Sequence, residues 1–217
     1  MVAGGLNCCW PSKRFYAFSG KTKVMALYLG VTGTFASGKN TFGDLIKKHF
    51  KAEFLGTADV LREETAARGL GLERPNLVRV ANDLRATRGH GYLAEKCAEK
   101  LKTMDVEVGM VSDLRNVGEI EALRKAFGKD LKLIAIDSDK SVRYARAKSR
   151  KRWGEDFLSF EEWAAAEEKE LHPKTDDPSV QNIGACMALT DYTIYNNGSI
   201  EELEKASVEL VRRLLGN

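Results

Sequence analysis

The stretch Gly33-Thr-Phe-Ala-Ser-Gly38-Lys39-Asn40-Thr41 constrains this chain more than any other. Two glycines have four residues between them, and a lysine follows the second. Just before it, Val24 to Val31 is a near-continuous apolar run. Such a run reads as a strand buried on both faces of a parallel sheet. Just after it, Phe42, Leu45, Ile46 and Phe50 recur at helical spacing. A glycine-rich turn between a buried strand and an amphipathic helix lets consecutive backbone N–H groups converge on one anion-sized hole. The positive end of the helix dipole adds to it. The spacing G-x4-G-K in that context is a phosphate-binding loop, and its lysine reaches toward the β- and γ-phosphates of a nucleotide.

The rest of the chain repeats the strand–helix alternation. Strands are expected at Glu53–Gly56, Val106–Val111, Leu131–Ile136 and Tyr192–Tyr195. Between them run apolar helical stripes: Leu77, Val80, Ala81 and Leu84; Leu93, Ala94, Cys97, Ala98 and Leu101; Ile120, Leu123 and Phe127. Ser199 with Glu202 is a capping box opening the last helix. Repeated βα units predict an α/β fold in three layers: a parallel five-stranded sheet with helices on both faces. A polar, charged segment from about 140 to 190 reads as a helical lid inserted into it. With 217 residues, one domain over 23–217 suffices. Residues 1–22 lack periodicity and read as a disordered extension, with Met25 as an alternative start. The first acid in the chain is Asp44, but neither an amphipathic helix nor a serine-rich run marks a transit peptide.

Composition excludes several classes. A net charge of +3 is too small to argue for nucleic acid or a membrane surface. No apolar run has the roughly 18–20 residues of a membrane span. Four cysteines without metal spacing exclude a disulfide scaffold or zinc module. Cys97 and Cys186 read as reduced core residues, which points to the cytoplasm. Oligomeric state is not legible.

The motif GKNT has asparagine where most phosphate loops carry a hydroxyl, and threonine next. In this it resembles the GKGT of adenylate kinase and its relatives, the nucleoside and nucleotide kinase group. That resemblance spans Val24 to Asn217. It implies ATP as phosphoryl donor, with Gly33, Thr34, Ala36, Ser37, Gly38, Lys39, Asn40 and Thr41 around its phosphates. It also implies Mg2+ bound through water on the Thr41 side.

Thr57-Ala-Asp59-Val-Leu-Arg62 resembles the T-G-D-x-L-R segment of nucleoside monophosphate kinases, where threonine and arginine hold the acceptor. Its Ala-Asp-Val core also fits the segment of dephospho-CoA kinases, whose aspartate is a base toward a sugar hydroxyl. Arg85, followed by Arg88 and His90, suits a second anion contact. Asp113 ends a strand where phosphate-loop enzymes keep a magnesium-side carboxylate. Arg115 follows it as an acceptor-side cation. From Lys140 to Arg152 there are seven basic residues and no acid. The Arg146–Arg150 pair, one helical turn apart, resembles the catalytic arginines of a mobile lid. Trp153 and Trp163 read as lid packing. Asn197 and Gly198 lie where related kinases approach the adenine. The expected activity is ATP-dependent transfer to a small nucleotide, a (deoxy)nucleoside monophosphate ahead of dephospho-CoA. The competing class is a nucleotide-dependent switch, which needs Lys39 but no acceptor site.

Overall fold

The computed structural model describes residues 26–149, 159–175 and 180–216. Five strands form one sheet: β1 (Leu27–Gly33), β2 (Ala52–Gly56), β3 (Val108–Ser112), β4 (Leu131–Asp137) and β5 (Tyr192–Tyr195). Their order is β2-β3-β1-β4-β5, and every pairing is parallel. The predicted strands are all present: β5 has the predicted ends, β2, β3 and β4 differ by one or two residues, and β1 runs Leu27–Gly33 where Val24–Val31 was expected. β1 extends past the apolar run because Thr32 and Gly33 still pair with Ala135 and Ile136 of β4.

Alternation along the strands divides the core in two. Val111, Leu131 and Leu133 face one side. There they pack with α2 (Thr57–Ala67), α3 (Arg74–Arg88), α4 (Tyr92–Thr103) and α5 (Val117–Phe127). Met110, Ile134 and Ile136 face the other, under α1 (Lys39–His49) and α9 (Ile200–Leu215). The period-two pattern of a strand makes this division automatic.

The charged region after β4 forms α6 (Lys140–Ser149), α7 (Phe160–Leu171) and α8 (Ile183–Ala188). α8 packs on the first core cluster through the fully buried Cys186. The helices that stand apart are α6 and α7, joined to the chain's phosphate loop by a small cluster of Ala36, Ala147 and Trp163.

Consecutive strands leave β1 in opposite directions along the sheet: β2 lies beyond β3 on one side, β4 on the other. Loops at the carboxyl end of β1 therefore diverge and leave a crevice, which is where open α/β sheets bind ligands.

Candidate active site

The loop between β1 and α1 is held in shape by its glycines and by neighbouring side chains. Gly33 has φ +137°, and a Cβ there would stand 2.0 Å from the Ile136 carbonyl oxygen. Gly38, the N-cap of α1, has φ +104°, and a Cβ there would meet Asn196 Nδ2 at 2.4 Å. Even Ala36 takes φ +55°. Thr34 Oγ1 donates to Asp137 Oδ1 at 2.6 Å, Ser37 Oγ to the Thr34 carbonyl at 2.9 Å, and Asn196 Nδ2 to the Ser37 carbonyl at 2.8 Å. Lys39 Nζ folds over the loop and donates to the carbonyls of Gly33 (2.9 Å) and Thr34 (2.7 Å). No acid occupies the first turn of α1. A helix N-terminus without acids and an ammonium thus meet at the loop, an arrangement that favours an anion.

Opposite the loop, a cavity of about 550 Å3 is walled by the ends of β2 and β3. Asp59 and Arg62 reach it from α2, and Asp113 and Arg115 from the turn after β3. Gly56 explains how two carboxylates fit there. A Cβ on Gly56 would lie 2.9 Å from Asp59 Oδ2 and 3.1 Å from Asp113 Oδ2. Asp59 Oδ2 accepts from the Gly56 amide at 3.2 Å, and Arg62 donates to Asp59 Oδ1 at 2.6 Å. Asp113 has φ +61°, a left-handed conformation uncommon outside glycine. Strain of this kind concentrates at functional sites. Arg115 bonds Glu170 of α7 at 3.2 Å and lies over the Phe35 ring, 5.4 Å from its centroid.

Other sequence candidates fall elsewhere. Thr57 is buried and gives its hydroxyl to the Asp113 carbonyl at 3.1 Å, so it braces the cavity wall instead of lining it. Gly33 and Thr34 are likewise buried behind the loop, while Ala36, Ser37, Gly38, Lys39 and Asn40 line the cavity. Arg146 reaches the exit of β5. Its guanidinium donates to the Asn196 carbonyl at 2.8 Å and lines a smaller cavity of about 180 Å3 with Thr41, Asn196 and Gly198. The expected partner Asn197 is exposed, its Oδ1 accepting from the Asp139 amide at 2.8 Å. Arg85 lines a second cavity of about 740 Å3 behind α2, next to His90. Arg150 and Trp153 lie outside the described residues. Trp163 is buried, packed with Ala36 and Ala147.

Sequence reasoning passed over three groups. Asn196 is buried and ties β5's exit to the loop, yet it reads as one more turn residue beside Asn197 and Gly198. Asp137 ends β4 and accepts from both Thr34 Oγ1 and the Ser138 amide (2.9 Å). Arg143 is buried in α6. It donates to the Ser138 carbonyl at 2.6 Å, to the Phe35 carbonyl at 3.5 Å and to Glu167 of α7. Burial also pulls its pKa below the ordinary arginine value, against the pull of Asp137 and Asp139. Among the described residues no three His, Cys, Asp or Glu side chains group as a metal centre.

Similar proteins agree with this architecture. The chain is 17% identical to TT1252 from Thermus thermophilus, with a TM-score of 0.58 over 87% of this chain and 98% of that one. Against shikimate kinase from Aquifex aeolicus the TM-score is 0.51 at 17% identity, covering 88% and 100%. Against shikimate kinase from Acinetobacter baumannii it is 0.53 at 13% identity, covering 89% and 96%. The fold is therefore that of phosphate-loop kinases. No family model matches the chain. Among curated relatives, a UPF0200/UPF0201 protein of Archaeoglobus fulgidus is 35% identical over 181 residues. The match takes in 82% of this chain but only 52% of that protein, so the chain spans about half its length. A UPF0200 protein of Thermococcus onnurineus is 32% identical over 85% of this chain and 96% of its own. One from Aeropyrum pernix is 34% identical over 82% and 88%. Matched at such identity along nearly the whole of these relatives, the chain belongs to the UPF0200 family.

Proposed function

We propose that the chain transfers the γ-phosphoryl group of ATP to a hydroxyl of a small nucleotide-type acceptor. The carrying observation is one cavity with the Lys39 loop on one wall and the Asp59–Asp113 carboxylate pair on the other. A nucleotide switch has no use for the second wall.

In this reading Lys39 and the loop amides stabilise charge on the phosphoryl group in transit, which is the main demand of such reactions. The bond from the γ-phosphorus to the bridging oxygen breaks as the acceptor oxygen bonds to phosphorus. ADP leaves, and the hydroxyl proton goes to Asp59, which Arg62 and the Gly56 amide orient. Asp113 is the group that would hold magnesium, which neutralises phosphate charge when bound. Thr41, Arg146, Asn196 and Gly198 line the space assigned to the adenine. Arg146 is thereby given to the base in place of the phosphoryl group.

A nucleoside monophosphate reacting through its phosphate is the second reading. Arg62 and Arg115 in the cavity favour it, as cations for an incoming phosphate. Both are already neutralised by Asp59 and Glu170, and two adjacent carboxylates repel a phosphate dianion, so the hydroxyl reading fits better. The test is ADP formation with Mg-ATP and a panel of nucleoside monophosphates, deoxymonophosphates and dephospho-CoA, in wild type and Asp59→Asn. A hydroxyl acceptor predicts a loss of about 10²–10⁴-fold in the variant. An undiminished rate with a monophosphate would select the second reading. ADP formation indifferent to every acceptor would select the switch.

A further inference from the structure

The cavity of about 740 Å3 behind α2 has a composition the phosphate loop does not account for. One side is apolar: Leu61 of α2 and Leu77, Val78 and Ala81 of α3. Val78 is 51% exposed, an unusual position for a β-branched apolar side chain on a helix. The other side carries Arg85, His90 and Lys169. Among the described residues neither Arg85 nor Lys169 forms an ion pair. Arg85 Nε and His90 Nδ1 are both buried without a hydrogen-bond partner; the guanidinium makes a 3.3 Å contact to Asn82 Oδ1 and lies within electrostatic reach of the buried Glu119 carboxylate. Buried nitrogens left unpaired cost free energy, and native proteins keep few of them without a use. The acids nearby are committed. Glu170 bonds Arg115, and Glu119 accepts from the Arg115 and Asn116 amides.

The cavity adjoins the active site. Leu61 faces it while the next residue, Arg62, faces the phosphate cavity. Arg115 lines the phosphate cavity and bonds Glu170, with Gln181 at 3.5 Å; both of these line the second. A molecule bridging the two would pass Arg115.

From this juxtaposition we infer that the second cavity holds the non-reacting part of the acceptor, an apolar body carrying an anion, with the anion on Arg85 and His90 and the apolar body against Leu61, Leu77 and Val78. Carboxylate and phosphate ester share this chemistry. The occupant's identity as acceptor rests on the phosphoryl-transfer reading; the anion-plus-apolar binding does not. A guanidinium fork suits either oxyanion.

The probe is 8-anilinonaphthalene-1-sulfonate, an aromatic body with an anion, titrated by fluorescence against the full chain. Its uncharged counterpart N-phenyl-1-naphthylamine is the control. Arg85→Met is expected to weaken sulfonate binding about tenfold or more, the scale of one charge-assisted contact, and to leave the neutral probe unchanged. Arg85→Lys should recover part of the loss. Saturating ADP should not displace the probe, and Lys39→Ala should bind it as wild type does. If Arg85→Met loses its melting transition, the exposed Lys169→Met takes its place, with a loss of about threefold expected. Equal binding of the sulfonate by wild type and variant, equal loss of both probes, or displacement by ADP would overturn the inference. Absence of acceptor-dependent ADP formation, with probe binding intact and Arg85-dependent, would overturn the kinase reading alone. Methyl- or benzyl-phosphate and benzoate as competitors then separate phosphate-ester from carboxylate occupants.

Discussion

Lys39 donates to two carbonyls of its own loop, so its replacement removes local bonds as well as the proposed ligand contact. Both are backbone contacts on a part-exposed side chain, and their loss is small beside the catalytic one. Lys39→Ala is expected to lower turnover by about 10²–10³-fold, the scale for one preorganised donor at a developing oxyanion. Its thermal midpoint should stay within a few degrees of wild type. Gly33 behaves in the opposite way. Gly33→Ala meets both φ +137° and a carbonyl at 2.0 Å, so unfolding in urea should reveal a loss of about 3 kcal/mol or more. A wild-type midpoint would show that the loop rearranges freely. The buried thiols give a third check. Burial pushes Cys97 and Cys186 up to about 12. The thiolate is the reactive form, so iodoacetamide at pH 8 should leave both unmodified in the native chain and label both in denaturant. Because these folded pKa values lie above the unfolded value of about 8.5, the associated stability is complete below that pH and fades as pH climbs toward 12. Native labelling of either thiol would contradict the burial described.

At the scale of elements, α6 and α7 are locked to each other and to the loop by one arginine. Arg143 is 3% exposed; it bonds Ser138, Phe35 and Glu167, and its guanidinium lies 5.4 Å from the Trp163 ring centre. Removing one partner of such a pair strands the other charge. Glu167→Ala should therefore destabilise by about 3–5 kcal/mol in urea unfolding, and Arg143→Met combined with Glu167→Leu by less. Equal stability of wild type and Glu167→Ala would show that the pair is not buried in solution. This part of the molecule was the least legible in sequence. A run of seven basic residues signals a cationic helix, but nothing in it says which cation turns inward. Arg146 turned to Asn196, and Arg143, not singled out, became the strut. The decision is made by Glu167 and Trp163, some twenty residues away, which no local pattern connects to Arg143. By contrast α1 and the loop were legible, since glycine spacing, a buried strand and an amphipathic helix are all local signals.

Across the whole molecule, the parallel sheet was readable because apolar runs such as Leu131–Ile136 alternate with helical stripes. The strand order adds what sequence could not supply: β1 lies between β3 and β4, so Asp113 and Asp137 flank the loop from both sides. The Asp59–Asp113 pairing depends on Gly56 lying beside Ser112 in the β2–β3 register. The second cavity draws on α2, α3, His90 after α3, α7 and residues 180–181, five segments with no shared motif, and so it had no sequence signature beyond Arg85 and His90. The central claim is that the chain moves a phosphoryl group between molecules. A single-turnover experiment with γ-labelled ATP, magnesium and the acceptor identified by the ADP screen tests it most directly. The label is predicted to appear on the acceptor in wild type, and about 10²–10³-fold more slowly in Lys39→Ala. Label recovered as inorganic phosphate, at a rate independent of acceptor, would contradict the account.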